Sequence, residues 1–227
     1  MNLPPRLEVT ASFVPPCECL ADIGTDHAYI PIHLIEKGVI KRAVASDIAA
    51  GPAKIALRNI KRHGLEDRIS VVTGYGLEPI DCADVIVIAG MGGKVICDIL
   101  TAGEKVARSA RLVVIQPMTM VMDVRRFLSE KGFAITDEAI AKEGQKLYNI
   151  MAVRTGEEII EDDIYFYVGK RLVEKKDPLL GEYIGKRIAA LDISIDNMGN
   201  SVGELEKREQ FISLKKQLLE VLDDYRS

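Results

Sequence analysis

The feature that most constrains the fold is an alternation of short apolar runs and amphipathic segments that continues to about residue 154. The apolar runs that predict strands are CLADIG, RAVASDI, ISVVTG, DVIVIAG, RLVVIQP, GFAITDEAIA and KLYNIMAV. Helical candidates lie between the first five of them, at residues 28–38, 51–63, 93–102 and 121–131. Strands that are apolar throughout and are separated by helices are typical of a parallel sheet buried on both faces.

Only the tripeptide KEG joins the last two predicted strands, so we expect them to form an antiparallel hairpin at one sheet edge. The pattern then changes, and EEIIEDDIYFYVGKRLVEKKDP predicts one helix that ends at Asp177 and Pro178. Two further helices with apolar residues three and four apart, separated by NMGNSVG, predict an antiparallel helical hairpin. We therefore expect an α/β domain over residues 1–155 and a helical coiled-coil domain over residues 156–227.

Composition excludes several classes of protein. The chain has 227 residues, of which 48% are hydrophobic, and its net charge of -4 argues against a generally basic nucleic-acid-binding surface. No run approaches the ~18 consecutive apolar residues of a membrane span, and Pro, Arg and Glu interrupt the N-terminus too often for a signal peptide. The cysteines at positions 17, 19, 82 and 97 lack the spacing of a zinc site. They predict reduced thiols in a cytoplasmic protein without a metal.

Acidic residues and glycines follow the predicted strands, at the edge where open α/β sheets bind ligands. The first strand ends at Asp22 and Gly24, and the second ends at Asp47, 25 residues after Asp22. The third and fourth lead into TGYGLEPI and IAGMGG, whose glycines permit close backbone approach. A single such glycine is typical of a tight strand-to-helix turn. Four strand ends that all carry Asp or Gly indicate a binding crevice.

The loop after the first strand indicates the kind of nucleotide. A phosphate site needs a glycine-rich loop before a helix, and no such run here ends in Lys-Ser or Lys-Thr. The carboxylates of Asp22 and Asp26 would repel a pyrophosphate. S-adenosylmethionine carries a sulfonium and an ammonium but no phosphate. The loop therefore favours S-adenosylmethionine over a dinucleotide such as NAD.

Five segments together resemble the TrmK-type tRNA (adenine-22 N1)-methyltransferases: ADIGTDHAYIP, ASDIAAGPAKIALRNIKRHGL, DVIVIAGMGG, LVVIQPMT and EGQKLYNIM. The resemblance runs from about residue 5 to the C-terminus and is densest between residues 20 and 150. It implies a Rossmann-like class I methyltransferase fold with a seven-stranded, mostly parallel sheet and a C-terminal α-helical coiled-coil hairpin. It also implies S-adenosyl-L-methionine as cofactor and methyl transfer to N1 of adenine 22 of tRNA.

By position, the resemblance implies a set of cofactor-binding residues at the strand ends. These are Asp22, Gly24 and Thr25 for the methionine part, Asp47 and Ile48 for the ribose and adenine, and Gly74, Tyr75, Gly76, Ala89 and Gly90 along the remaining edge. The family usually has Asp at the position of Tyr75. Either the adenine amino group then finds a backbone carbonyl or water, or the Tyr75 ring stacks on it.

Asp26, His27, Gly90 and Met91 are the candidates for catalysis. N1 of adenine already has a lone pair, so catalysis rests on positioning this nitrogen and on stabilising the charge that moves onto the base. Asp26 and His27 follow the cofactor loop closely enough to face the base. The alternatives are an N-cap role for Asp26 and a capping or packing role for His27. Gly90 offers backbone carbonyls, and Met91 packs on a ring.

Contact with tRNA requires a local basic surface. Residues 37–68 contain eight basic and three acidic residues. The candidates for phosphate contact are Lys54, Arg58, Lys61 and Arg62 on one predicted helix, followed by Arg125 and Arg126. The alternative is a solvated surface. The helical hairpin either clamps tRNA through Lys186, Arg187, Lys207 and Arg208 or serves stability or dimerisation, with a monomer slightly favoured.

Three other functions compete with an RNA base methyltransferase. A methyltransferase for a small molecule or protein would not need the basic segment and the helical appendage. A non-catalytic RNA-binding module is supported only by Tyr75. A nicotinamide-dependent oxidoreductase is disfavoured by the acidic loop and its missing glycines.

Overall fold

The computed structural model describes residues 2–199 and 202–226. The chain divides into two compact units, with the boundary between Ile159 and Ile160. The strands of the first unit are β1 (Cys17–Ile23), β2 (Ile40–Asp47), β3 (Ile69–Thr73), β4 (Val85–Gly92), β5 (Leu112–Thr119), β6 (Phe133–Glu143) and β7 (Lys146–Thr155). Its helices are α1 (Pro5–Ser12), α2 (Tyr29–Glu36), α3 (Ala50–Arg62), α4 (Gly93–Ala102), α5 (Glu104–Ser109) and α6 (Val121–Glu130).

The seven strands form one sheet in the order β3-β2-β1-β4-β5-β7-β6. All neighbours are parallel except β5 with β7 and β7 with β6, which are antiparallel. The predicted seven-stranded, mostly parallel sheet with an antiparallel hairpin at one edge is therefore confirmed. Two short helices, α1 and α5, were not predicted, because eight and six residues are too few to show a clear helical period.

Both faces of the sheet are buried, which explains why its central strands are apolar at nearly every position. On one face Leu20, Val85 and Val87 pack with α2 and α3 residues such as Ile32. The alternate strand residues Ala21, Ile86 and Ile88 point to the other face and pack with α4 and α6 residues. Successive side chains of a strand point to opposite faces, so two helical layers require two apolar sets.

The strand order reverses between β1 and β4. From β1 the chain proceeds outward to β2 and β3, and it then returns to place β4 on the other side of β1. The connections that leave β1 and β4 run to opposite sides at this point, which leaves a crevice beyond the carboxyl ends of these two strands. The residues that follow these two strands are the ones from which a ligand site can be built.

The second unit contains α7 (Ile164–Val168), α8 (Lys170–Glu174), α9 (Leu180–Asp196) and α10 (Val202–Arg226). The prediction of one helix over residues 157–178 is wrong. Gly169 has φ of +89° and ends α7, and residues 157–163 are not helical. The carboxylate of Glu158 instead accepts a hydrogen bond from the backbone N–H of Ile135 in β6 at 3.0 Å. Clustered acidic residues at positions 157–163 also repel one another in a helix.

The helices α9 and α10 pack together as the predicted antiparallel hairpin. The Tyr225 ring near the end of α10 lies beside Gly181 at the start of α9, and Lys215 pairs with Asp192 at 2.5 Å. Leu180, Ile184 and Leu218 are buried in this seam. The predicted break over NMGNSVG includes residues 200 and 201, which lie outside the described residues. None of the helices within residues 2–199 and 202–226 combines the length and the apolar character of a membrane span.

Arg125 of α6 is buried, which overturns its prediction as a contact for tRNA. Its side chain is 2% exposed, and its guanidinium pairs with the carboxylate of Glu138 in β6 at 2.8 Å. A second hydrogen bond, of 2.9 Å, reaches the side-chain oxygen of Asn149 in β7. The charge is neutralised inside the first unit, where it ties α6 to the antiparallel hairpin. The neighbouring Arg126 is half-buried.

We expect Arg125→Ala to lower the free energy of unfolding by roughly 3–5 kcal/mol, because it removes the cation that pairs with the buried Glu138 carboxylate. Urea denaturation measures this loss. The control is Lys54→Ala, which removes an exposed cation and should change the free energy by less than about 0.5 kcal/mol. Equal effects of the two substitutions would contradict the structural role of Arg125.

Candidate active site

A pocket of about 280 Å³ opens at the carboxyl edge of the sheet, where the strand order reverses. Its walls come from the start of α1, the loop between β1 and α2, the first turn of α2, and the end of β4. The lining residues are Pro4, Arg6, Leu7, Asp22, Gly24, Thr25, Asp26, His27, Tyr29, Ile30, Ala89 and Gly90. Seven of the predicted site residues, Asp22, Gly24, Thr25, Asp26, His27, Ala89 and Gly90, are therefore brought together.

Asp22 is a buried carboxylate at the bottom of this site. It is 5% exposed, and its Oδ2 accepts a hydrogen bond from the hydroxyl of Thr25 at 2.6 Å. Burial raises the pKa of the Asp22 carboxyl to about 6; the Thr25 hydrogen bond lowers it and the charge of Asp47 raises it further. At neutral pH the folded chain therefore holds a poorly solvated negative charge, which a cationic ligand would stabilise.

The loop that follows β1 has an unusual backbone. Gly24, Asp26 and Ala28 all have positive φ, of +70°, +46° and +58°. A methyl group on Gly24 would lie 2.1 Å from the terminal methyl of Met91, which would have to move, and the positive φ of Gly24 disfavours any side chain there. The N–H groups of Gly24 and Thr25 both donate to the carbonyl of Ser46, at 2.8 and 3.0 Å. This strain is costly for residues other than glycine, and such strain is frequently found at functional sites.

The structure excludes the N-cap alternative for Asp26 and gives His27 a packing partner. The N-cap residue of α2 is Ala28, without a side-chain capping bond, so Asp26 is not an N-cap. The Asp26 side chain is exposed at the pocket and lies 3.4 Å from Nε2 of His27. The His27 ring stacks on Tyr29 with the ring centroids 4.8 Å apart. His27 thus has a packing partner and also lines the pocket.

The ends of β2 and β3 extend the site away from the pocket. Asp47 accepts hydrogen bonds from the N–H of Ala49 at 2.9 Å and from that of Asp26 at 3.4 Å, and the exposed Ile48 follows it. The carbonyl of Asp47 accepts a bond from the N–H of Gly74 at 3.1 Å. The predicted residues at these strand ends are therefore close to one another and to the loop after β1.

Tyr75 and Gly76 pack toward α4. Tyr75 is half-buried against the apolar cluster on the α4 face of the sheet. Gly76 has φ of +52°, and a methyl group there would approach the Ile99 side chain to 2.9 Å. Packing on this cluster is a structural role that explains a tyrosine at this position.

The sequence did not reveal Arg6, which lines the pocket, or Gln116, which contacts both Arg6 and Gly90. The side chain of Gln116, at the end of β5, is fully buried and its Oε1 accepts two hydrogen bonds. One comes from the N–H of Gly90 at 3.0 Å and the other from Nη1 of Arg6 at 2.7 Å. Gln116 thereby joins the ends of β4 and β5 to α1. Proline at the first turn of α1 and a polar residue ending the apolar run VVIQP were the available signals.

Exposed apolar side chains lie beside the end of β4. Met118 and Met120 are 42% and 50% exposed, and Met120 has a positive φ of +55°. The backbone at Thr119 and Met120 packs closely on Gly93, where a methyl group would lie 2.7 Å from the Thr119 carbonyl oxygen. Met91 lies on the same edge, paired in register with Pro117. This methionine surface, defined as Met91, Met118 and Met120, continues from the pocket along the carboxyl edge.

The exposed face of α3 carries a cluster of cations. Lys54, Arg58, Lys61 and Arg62 are all exposed, and in the described part of the chain none of them forms an ion pair. The half-exposed Leu57 lies on the same helix. The Nδ2 of Asn59 donates to the carbonyl of His27 at 3.1 Å, which ties α3 to the loop beside the pocket. We refer to the four cations as the α3 basic face.

Unlike the α3 basic face, the cations of the helical hairpin contact other residues of the hairpin. Arg208 donates to the carbonyl of Met198 at 2.8 Å, and Lys186 pairs with Glu182 at 3.1 Å. Arg187 bonds to the hydroxyl of Tyr183, and Lys207 lies 5.6 Å from the Phe211 ring centroid. These contacts support a stabilising role within the hairpin. In the part of the chain that the structure describes, no group of three or more His, Cys, Asp and Glu side chains is arranged to hold a metal ion.

This topology, with an acidic pocket at the switch point and no phosphate loop, defines a Rossmann-like methyltransferase domain. A sequence profile for a family described as a methyltransferase domain matches residues 3–151. The tRNA (adenine(22)-N(1))-methyltransferase of Bacillus subtilis (strain 168) is 36% identical over 159 residues, which cover 69% of this chain and 67% of that protein. The chain belongs to the family of tRNA (adenine(22)-N(1))-methyltransferases, as the resemblance implied.

Solved structures agree with this assignment over nearly the full chain. Sp1610 of Streptococcus pneumoniae, in complex with S-adenosyl-L-methionine, has 33% identity and a TM-score of 0.87, covering 97% of this chain and 100% of that one. The B. subtilis m1A22 tRNA methyltransferase TrmK has 29% identity and a TM-score of 0.87, covering 97% and 99%. The similarity therefore includes the helical hairpin as well as the methyltransferase domain.

The raised pKa of Asp22 gives the first site prediction. A carboxyl whose pKa is higher in the folded chain than its ordinary value of 3.8 destabilises the fold once it ionises. Stability without ligand should therefore fall as the pH rises from about 4 to about 6. We expect Asp22→Asn to raise the free energy of unfolding at pH 8 by up to about 3 kcal/mol, since each pKa unit is worth about 1.4 kcal/mol.

Urea denaturation at several pH values measures the difference in free energy of unfolding between Asp22→Asn and the unsubstituted protein. This difference should become smaller as the pH falls toward 4. The control is Asp67→Asn, which alters an exposed carboxylate and should leave the pH profile unchanged. A gain from Asp22→Asn of the same size at every pH would show that the charge of Asp22 is not its cause.

Proposed function

We propose that the chain transfers a methyl group from S-adenosyl-L-methionine to N1 of adenine 22 of tRNA. The observation that carries this proposal is the acidic pocket at the switch point, bordered by strained backbone, in a chain of this family. The pocket supplies negative charge for a cationic methyl donor. The α3 basic face supplies positive charge for a polyanionic substrate on a helix that is tied to the same loop.

The residues of the site fit the cofactor. The pocket with Asp22, Gly24 and Thr25 suits the cationic amino-acid end, and Gly24 lets the backbone come close to a ligand. Asp47 has a carboxylate that accepts hydrogen bonds from a ribose diol, and the exposed Ile48 offers an apolar surface to the adenine. Gly74, Tyr75, Gly76 and Ala89 complete the proposed cofactor site. The hydroxyl of Ser46, near the end of β2, is buried and has no hydrogen-bond partner in the described chain.

When bound, the cofactor supplies an electrophilic methyl group on a positively charged sulfur. The chain does not need to remove a proton, because N1 of adenine attacks with its own lone pair. The residues beside the pocket act by holding the base in line with the methyl group and by excluding water. Positive charge moves onto the base as the methyl group moves, and the nearby carboxylates of Asp22 and Asp26 stabilise it there.

We assign the base-binding role to the edge that adjoins the pocket. Asp26 and His27 face it from the loop after β1, and Gly90 faces it from the end of β4. N1 lies on the Watson–Crick edge, so the adenine must leave its stack before it can react. The methionine surface provides an apolar, adaptable contact for such an exposed base, because thioether sulfur packs favourably on aromatic rings.

The α3 basic face is the proposed tRNA contact, with Arg126 as a further candidate. In the described part of the chain the cations of the α3 basic face form no ion pair and are available to neutralise phosphates, whereas Arg125 is already neutralised inside the fold. The unit that ends at Ile159 is the proposed catalytic domain, and the unit that begins at Ile160 is a helical domain whose internal ion pairs favour a stabilising role. We propose that the enzyme acts as a monomer in the cytoplasm, without a metal.

Primer extension tests the function. An unmodified tRNA transcript is incubated with the protein and S-adenosyl-L-methionine and is then reverse-transcribed. A methyl group on N1 blocks base pairing, so we expect a stop at position 22 that requires both protein and cofactor. A matched transcript with guanine 22 should show no such stop. Methylated tRNA without a stop at position 22 would overturn the assignment to N1 of this adenine.

The α3 basic face gives a quantitative prediction. Replacing Lys54, Arg58 and Arg62 by Ala should weaken tRNA binding and lower the slope of log affinity against log salt by roughly 2–3, since each phosphate contact contributes about 0.7–0.9. Fluorescence anisotropy at several salt concentrations measures the slope.

The control variant removes three exposed cations at other surfaces, Lys105, Lys131 and Arg154, which gives the same change in net charge. It should lower the slope by less than about 1. Equal slopes for the two triple variants would mean that only net charge matters and that α3 does not contact the tRNA.

A further inference from the structure

Arg6 lines the pocket from α1, whereas Asp22 lines it from the end of β1 and Asp26 from the loop that follows. Among the described residues that line this pocket, Arg6 is the only lysine or arginine. It is half-buried, and in the described part of the chain it forms no ion pair with either aspartate. A permanent positive charge therefore lies in the same pocket as two aspartates without pairing directly with either.

The position of Arg6 is fixed by contacts that leave most of its guanidinium available. Its backbone N–H donates to the carboxylate of Glu143 at 2.9 Å, and its Nη1 donates to Oε1 of Gln116 at 2.7 Å. The guanidinium carbon lies 5.6 Å from the centroid of the Tyr148 ring. Of the five N–H donors of the guanidinium, the described chain uses one. The remaining donors suit a planar oxyanion such as a carboxylate, which accepts two parallel hydrogen bonds.

We infer that Arg6 binds the α-carboxylate of the amino-acid part of the methyl donor. This inference rests on the proposed function and names a cofactor-binding residue that the sequence did not reveal. An α-amino acid carries an ammonium and a carboxylate on one carbon, so its site needs both signs of charge within a few ångströms. Asp22 and the loop after β1 provide the negative side, and Arg6 provides the positive side.

The same contacts connect cofactor binding to the substrate edge. Gln116 accepts hydrogen bonds from both Arg6 and the N–H of Gly90, and Gly90 belongs to the proposed base-binding edge. A carboxylate held by Arg6 therefore lies one side chain away from the end of β4. Arg6 acts here as a binding residue, and Gln116 acts as a positioning residue for both Arg6 and Gly90.

Two ligands that differ in the amino-acid part test the inference. S-adenosylhomocysteine contains the carboxylate, and 5′-methylthioadenosine lacks the whole amino-acid end but keeps the adenine and ribose. Calorimetry should show that Arg6→Gln weakens S-adenosylhomocysteine about 10–100-fold, as expected for a lost charge-assisted contact. Binding of 5′-methylthioadenosine should change by less than about twofold.

Asp47→Ala is the matched control, because it removes the proposed ribose contact that both ligands share. It should weaken both ligands by similar factors. Equal losses of both ligands in Arg6→Gln, or no loss of S-adenosylhomocysteine, would overturn the role of Arg6. A wild-type protein that binds neither ligand would overturn the proposed function and this inference with it.

A second measurement changes the ligand as well as the protein. The methyl ester of S-adenosylhomocysteine has a neutral carboxyl group, and the wild-type protein should bind it about 10–100-fold more weakly than the free acid. In Arg6→Gln the ester and the free acid should bind nearly equally, because the two changes remove the same contact. If the ester still binds about 10–100-fold more weakly than the free acid in Arg6→Gln, the carboxylate contacts a residue other than Arg6.

Discussion

The buried carboxylate of Asp22 is the constraint on which the site depends. It ends a strand that is paired on both sides, so it lies where water is scarce, and burial raises its pKa to about 6. The chain supports it with the Thr25 hydroxyl and with a loop that takes positive φ at three positions. Burying a charge and straining a backbone both cost stability. A cationic ligand at the same place offsets part of this cost.

The neighbouring strand ends are arranged around this carboxylate. The carbonyl of Ser46 at the end of β2 holds the N–H groups of Gly24 and Thr25. From the other side, the Met91 side chain at the end of β4 packs against Gly24, and Gln116 accepts a hydrogen bond from the N–H of Gly90. The ends of β1, β2, β4 and β5 therefore contact one another around the pocket, and Arg6 of α1 bonds to Gln116 of β5. A change in any of these strand ends should alter the geometry at Asp22.

The sheet and the acidic strand ends could be predicted from the sequence because they depend on local patterns. Apolar runs predict buried strands, and residues that follow parallel strands share one edge regardless of their distance along the chain. Asp22, Asp47 and Gly90 were located in this way. The helical hairpin was also predictable, since apolar residues at spacings of three and four mark its seam.

The remaining features depend on partners that are distant in sequence. Arg125 was taken for a surface cation, but its partners Glu138 and Asn149 are 13 and 24 residues away and lie in two strands of the hairpin. Arg6 was overlooked because Gln116 is 110 residues away. The segment 157–178 was predicted as one helix, although Gly169 interrupts it. A charged residue in an amphipathic pattern indicates neither burial nor pairing by itself.

Competitive calorimetry is the most direct test of the idea that charge selects the ligand. The protein is titrated with S-adenosylmethionine and with NAD⁺ near pH 7.5, each alone and each in the presence of the other. The account predicts saturable binding of S-adenosylmethionine and no binding of NAD⁺, whose pyrophosphate would face Asp22 and Asp26. Binding of NAD⁺ in competition with S-adenosylmethionine would contradict it.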